Sequence, residues 1–304
     1  MIRFQTEFTN LIANFRHSIT QLWVTKNQGT AVRNIYFGSI VVALFVILRK
    51  LGQFLPVGFD WHHFFDRGIY PQIWMPWTKP LVDLIDLPTV FALTVLAIGL
   101  RAYRNGKSPL ALFFALLSLP TLWVLFLGNL DGLAALGLLL LPWGLPLVLI
   151  KPQVASFALL AEKRTVFLAA FWLGLSLIIW GLWPLNLSVV LTNEWKAEWQ
   201  QDITLFPFGL LLALPLLWFS RGDEDLLMAA GSLGTPHLFP YHFIVLMPAL
   251  ARMKLFWMVL TWLVSWTPLL SNWLGERAWH FGNLMSVCFW LGIYLNRKKN
   301  KTRT

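Results

Sequence analysis

Asp60, His62, His63, Asp66 and Arg67 fall within one stretch, GFDWHHFFDRGIYPQIWMPWTKP, residues 58–80, interleaved with aromatic side chains. A carboxyl group partly buried among aromatics has its pKa pushed toward neutrality by desolvation, and in that state it is a competent general base. Histidines and arginines beside it can bind a phosphate group. Further polar features stand in the turn GNLD, residues 128–131, with Asn129 and Asp131. Others occur in NEWKAEWQQD, residues 193–202, and in TPHLFPYH, residues 235–242, with His237, Tyr241 and His242. A reaction that needs both a base and a phosphate-binding cluster is glycosyl transfer from a polyprenyl-phosphate sugar. There the base takes a proton from an acceptor hydroxyl and the basic groups stabilise the departing phosphate.

Each of these residues also has a plainer reading. Asp60 can cap the short helix that follows it, and Asn129 and Asp131 can cap theirs. His62 and His63 with the flanking aspartates can hold a divalent metal, but adjacent histidines diverge on a helix or strand, so one compact site is disfavoured. His237 and His242 straddle a proline and need not share a face. Glu194, Lys196, Glu198 and Asp202 read as a solvated surface helix with interfacial Trp195 and Trp199. Asp223, Glu224 and Asp225 suit a helix N-terminus, where the dipole favours acids.

The elements that position these residues follow from composition. Hydrophobic residues make up 57% of the 304 and charged residues 12%, with a mean hydropathy of +0.63; soluble domains carry about 25% charged residues. Trp is abundant, at 18 residues, as interfacial anchoring requires. The net charge of +10 fits a cytoplasmic Lys/Arg bias, and no nucleic-acid-binding signature accompanies it. The single cysteine, Cys288, excludes an intrachain disulfide.

Apolar runs at 34–55, 84–103, 109–127, 131–150, 165–187, 204–220, 254–273 and 279–296 each approach the ~20 residues that span a bilayer. Residues 224–251 read as a pair of short tilted helices meeting at TPHLFPYH, or as a re-entrant hairpin. Residues 1–30 repeat apolar side chains in steps of three and four, the pattern of an amphipathic interfacial helix. The expected organisation is therefore that helix, then one polytopic membrane domain over 31–296 with an external loop at 57–83, then a basic tail at 297–304. The fold class is all-α, a bundle of about 8–10 transmembrane helices.

Arg101, Arg104, Lys107, Lys151, Lys163, Arg164, Arg221, Arg252, Lys254 and the basic residues of both termini fall on one side of this scheme. Asp60, Asp66, Asp83, Asp86, Asp131 and Asp202 fall on the other. The basic side is cytoplasmic by the positive-inside rule, which puts both termini inside and the Asp60 loop outside a plasma membrane.

The chain resembles a short member of the GT-C superfamily of membrane glycosyltransferases, closest to glycosyltransferase family 87, the polyprenol-phosphate-dependent mannosyltransferase type. FDW at 59–61 is similar to the family's Asp-containing first external loop. YPQIWMPWTKPLVDLIDLP, residues 70–88, resembles its aromatic and proline-rich approach to the next helix. GNLDGLAALGLLLLP with IKP, ending at Pro152, and GSLGTPHLFPYHFIVLMPAL, residues 231–250, resemble its Gly-Asn helix with the Lys-x-Pro-like turn and its late hairpin. The resemblance implies a GT-C-like bundle with Asp60 as catalytic base. His237 or His242 would contact the phosphate of a polyprenyl-phosphate sugar donor, within a substrate site that also takes in His62, His63, Asp66, Arg67, Asn129, Asp131 and Tyr241. No metal ligand or cofactor is assigned, a divalent ion being the alternative; the partners implied are membrane lipid and the lipid-linked sugar. The chain is shorter than the family's usual length, so a non-catalytic membrane subunit on the same scaffold is the first rival. A transporter of lipid-linked substrates is the second, and it calls for ionisable residues at mid-membrane depth.

Overall fold

The computed structural model describes residues 30–55, 58–69, 74–187 and 201–301. The interfacial helix expected at 1–30 and the surface helix expected at 193–202 lie almost entirely outside them. The described residues form helices joined by turns and loops, without strands. They fall into two compact units, Met1–Ile47 and Leu48–Thr304. The first is described from Thr30 onward and holds most of α1, Thr30–Gly52, an apolar helix.

In the second unit a five-residue π-helix, Trp61–Phe65, precedes α2, Thr78–Leu84, and α3, Leu87–Gly106. Asp86 starts α3 by accepting the Thr89 backbone N–H, with Pro88 in the first turn, and Lys107 ends it in the left-handed conformation. Helices α4, Pro109–Leu116, and α5, Leu119–Leu127, are bent by 50°. Pro120 supplies no N–H there, and Ser118 and Thr121 both donate to the Ala115 carbonyl that the bend frees. By length and composition α1, α3 and α9, Lys163–Trp180, can each cross a membrane, and the bent α4–α5 pair makes a fourth. Two other expected spans are shorter pieces, α10, Leu210–Ser220, and α12, Leu255–Ser265, followed by α13, Ser271–Leu274; α14, Leu284–Lys301, is 18 residues long but ends in the basic run RKKNK.

The run 131–150 does not cross as one helix. Helix α6, Asp131–Leu139, turns at 140–144 and comes back through α7, Leu145–Val148. Gly137 and Gly144 let the two limbs touch: a Cβ on Gly144 would lie 2.2 Å from the Gly137 carbonyl oxygen. Tryptophans just ahead of α2 hold the returning limb, Trp77 donating to the Pro146 carbonyl at 3.0 Å and Trp74 to the Ile150 carbonyl at 3.2 Å. Lys151 therefore lies at the same end of the second unit as the Asp60 loop, and its expected separation from that loop by the width of a membrane is corrected. Prolines 142 and 146 with the two glycines break the apolar run into a hairpin. The chain descends only afterwards, through α8, Pro152–Ala155, and the 3₁₀ turn Ser156–Ala161, to the level of Gly222.

Helix α11, Glu224–Ser232, is capped by Asp223, whose side chain accepts the Leu226 N–H. It is followed, across the break at 233–239, by a 3₁₀ helix of 13 residues, Pro240–Arg252, whose residues 240–250 are all buried. Runs of 3₁₀ longer than three or four residues are uncommon because the hydrogen-bond geometry is poorer than in an α-helix. At its far end Arg252 grips Asp223 at 2.6 Å and Asp225 at 2.7 Å, while buried Arg101 reaches Asp225 at 2.8 Å and the Val245 carbonyl at 3.1 Å. Asp223 thus acts as both cap and ion-pair partner.

Candidate functional site

The GNLD turn carries the DWHH segment. Gly128 sits at φ 68°, and a Cβ there would lie 3.0 Å from Gly58 Cα and 3.1 Å from Trp61 Cβ, so only glycine allows the two segments to touch. The Gly58 N–H donates to the Phe126 carbonyl at 3.0 Å. This contact places Asp60 against Asn129. Asn129 Nδ2 donates to Asp60 Oδ2 at 2.7 Å, and its Oδ1 accepts the Leu130 N–H at 2.7 Å. Asp60 makes no capping bond to the helix it precedes, so the capping reading of this residue is excluded. Burial raises its pKa above the ordinary carboxylate value; the Lys151 charge, the Asn129 hydrogen bond and His63 oppose that rise without cancelling it.

Behind Asn129 lies a buried group of ionisable side chains. Asp131 Oδ2 is 3.7 Å from Lys151 Nζ, and Asp131 Oδ1 is 3.7 Å from His242 Nε2, with Asp131 and His242 each 2% exposed. Gly132 lets α6 approach α3 closely enough for this, since a Cβ there would collide with Thr94. His242 Nδ1 accepts the Phe239 N–H at 3.0 Å, which leaves the ring proton on Nε2, facing Asp131. His237 adjoins, its ring centroid 6.1 Å from that of His242, and its Nδ1 donates to Asp202 Oδ2 at 2.9 Å. Asp202 Oδ1 also accepts the N–H groups of Thr204 and Leu238. These bonds, with the His237 charge, outweigh burial and hold the Asp202 carboxyl below its usual range. Asp202 is thus a buried anchor rather than part of a solvated surface helix. Tyr241 packs between Trp123, Phe239 and His242 as part of an aromatic wall.

The structure thus brings together Asp60, Asn129, Asp131, His237 and His242. It leaves His62, His63, Asp66 and Arg67 exposed. His63 Nδ1 bonds the Phe59 carbonyl at 2.8 Å, and His62 lies 3.7 Å from Asp66. Both histidines line a cavity of about 650 Å³ whose other walls include Leu55, Phe59, Leu87 and Phe126. Among the described residues no three His, Cys, Asp or Glu side chains are placed to share a metal ion. Lys151 and Asp202 belong to the site and were not legible as such. The sign that was present for Lys151 is the run of breakers in GLLLLPWGLPLVLIKP.

Fold and site define the chain as an all-helical protein with three apolar helices, four counting the bent pair, long enough to cross a membrane, and a buried ionisable cluster at one end. Comparison with protein-family models, with curated proteins and with solved structures gives no match.

Proposed function

We propose that this chain is a GT-C-type integral membrane glycosyltransferase that moves a sugar from a polyprenyl-phosphate donor to an acceptor at the extracytoplasmic face. The observation that carries the reading is Asp60: a half-buried carboxylate, uncommitted to helix capping, steered by Asn129 and raised in pKa, whose chain neighbours Phe59, His62 and His63 line a cavity with apolar walls. Asp60 accepts the proton of the acceptor hydroxyl as that oxygen bonds to the anomeric carbon. The bond from that carbon to the phosphate oxygen breaks, and its electron pair leaves with the lipid phosphate. The apolar wall suits the first isoprene units, and His62 and His63 suit the phosphate.

The test is transfer of labelled sugar from a panel of polyprenyl-phosphate sugars, with wild type and Asp60→Asn compared in purified membranes. The reading expects transfer by wild type and its loss in a folded variant. Transfer undiminished in Asp60→Asn removes Asp60 from the mechanism, and no transfer with any donor shifts the weight to a non-catalytic subunit. Carriage of a lipid-linked substrate is the second reading, favoured by the buried Asp131–Lys151–His242 group, since ionisable residues inside a helical membrane body mark transport paths as well as enzyme sites. Movement of a fluorescent lipid-linked sugar across proteoliposomes without release of the sugar separates it from the transferase.

A further inference from the structure

Asp131 and His242 face one another, with Lys151 alongside, at a distance that no direct hydrogen bond between carboxylate and imidazole satisfies. Both separations from Asp131 are 3.7 Å, beyond the 2.7–3.2 Å of such bonds. Asp131 Oδ2 and His242 Nε2 are buried without a hydrogen-bond partner among the described residues. A donor and an acceptor left unmatched in one buried place are destabilising until a partner satisfies them. Their chemistry specifies what would satisfy them. The ligand must donate to a carboxylate and accept from an imidazole N–H, with an ammonium alongside. A second carboxylate fails the first requirement and a metal cation the second. A hydroxyl meets both, and polar contacts longer than 3.5 Å are commonly bridged in this way.

We infer that Asp131 and His242, with Lys151 beside them, form a binding site for a single hydroxyl group, which donates to Asp131 Oδ2 and accepts from His242 Nε2. The hydroxyl is that of an internal water molecule or of a sugar or polyol that enters the helical body; the second source rests on the transferase reading and the first does not. Three elements converge to build the site: the start of α6, the end of its returning limb, and the start of the long 3₁₀ helix. The Phe239 N–H fixes the His242 tautomer, so the imidazole presents a donor rather than an acceptor to Asp131.

Infrared difference spectra of the full-length protein in lipid nanodiscs test this without relying on turnover. Wild type is compared with Asp131→Asn and with His242→Asn. In the latter the amide oxygen can still accept the Phe239 N–H while the Nε2 donor is lost, so the local turn survives. Folding of each variant is checked by the thermal exposure of Cys288. A water source predicts an O–H stretching band that shifts in ¹⁸O-water and is absent from both variants. A substrate source predicts no such band, but a shift of the Asp131 carboxyl band on adding methyl glucoside to wild type that is lost in His242→Asn. If neither signal occurs in folded protein, the inference is wrong, whatever the transfer assay shows. Loss of transfer in Asp60→Asn alongside a negative infrared result would leave the transferase standing without this site.

Discussion

A carboxyl group that is half-buried yet hydrogen-bonded, as Asp60 is to Asn129, keeps its proton to higher pH than an exposed one, and its work as a base begins only where that proton is gone. The rate of sugar transfer is expected to rise with pH through an inflection above the usual carboxylate range. In Asn129→Leu the inflection moves higher still, because the bond that favours the charged form is removed. A pH–rate profile of both proteins checks this; an unmoved inflection would detach Asn129 from the base. The same shift has a consequence for stability. The folded state holds the Asp60 proton more tightly than the unfolded chain, so its contribution is fully present below the unfolded pKa and is lost as pH rises through the folded one. Asp60→Asn escapes that loss. Its thermal midpoint at neutral pH is expected to equal or exceed that of wild type, which makes a loss of activity in this variant interpretable. Asp223 works in the opposite direction: its Arg252 hydrogen bonds and charge outweigh burial and lower its pKa, so its contribution is present above the unfolded pKa and fades as pH falls. Asp223→Ala loses both a cap and a buried ion-pair partner, and is expected to cost about 2–4 kcal/mol, read from the thermal reactivity of Cys288.

At the scale of elements, the site depends on how closely helices approach. A Cβ at Gly132 would meet Thr94 side-chain atoms at 2.0–2.5 Å, so Gly132→Val is expected to push α6 off α3 and destabilise the fold by about 1–3 kcal/mol, whereas Gly68→Ala, where a Cβ meets no neighbour within 4 Å, leaves the α6–α3 contact untouched. Thermal unfolding in detergent measures the first effect. Transfer activity should fall further than stability alone explains, since Asp131 moves with the helix. The helical character of the chain, the polar break between α11 and the 3₁₀ helix, and most of the site residues were legible from the sequence, because apolar run length and polar interruption are local signals. The fold of 131–150 was not. Run length there is that of a span, and what decides otherwise is the contact of Gly137 with Gly144 and the two indole hydrogen bonds from Trp74 and Trp77, which no local window contains. The error carried Lys151 to the wrong face with it. Asp202 escaped for a related reason: its partners His237 and Leu238 lie far along the chain.

The second unit, taken whole, has a charged group at each end. One holds Asp60, Asp131, Lys151 and His242; the other holds Arg101, Asp223, Asp225 and Arg252. In the topology proposed from the positive-inside rule, the second faces the cytoplasm. In a Cys288→Ser background, His62→Cys is therefore expected to react with a membrane-impermeant maleimide in intact cells, and Arg221→Cys only after permeabilisation. The reverse pattern would invert the topology, and labelling of both in intact cells would deny that the chain crosses. The rod between the two ends is the 3₁₀ helix Pro240–Arg252, with His242 near one tip and Arg252 at the other. A 3₁₀ helix rises about 2.0 Å per residue and an α-helix about 1.5 Å, so rewinding all 13 residues would shorten the rod by roughly 6 Å. That exceeds the reach of any hydrogen bond. The helix is thus a ruler cut to one length: while Arg252 keeps its aspartates, His242 is delivered to Asp131, and a change of winding would unhook one end or the other.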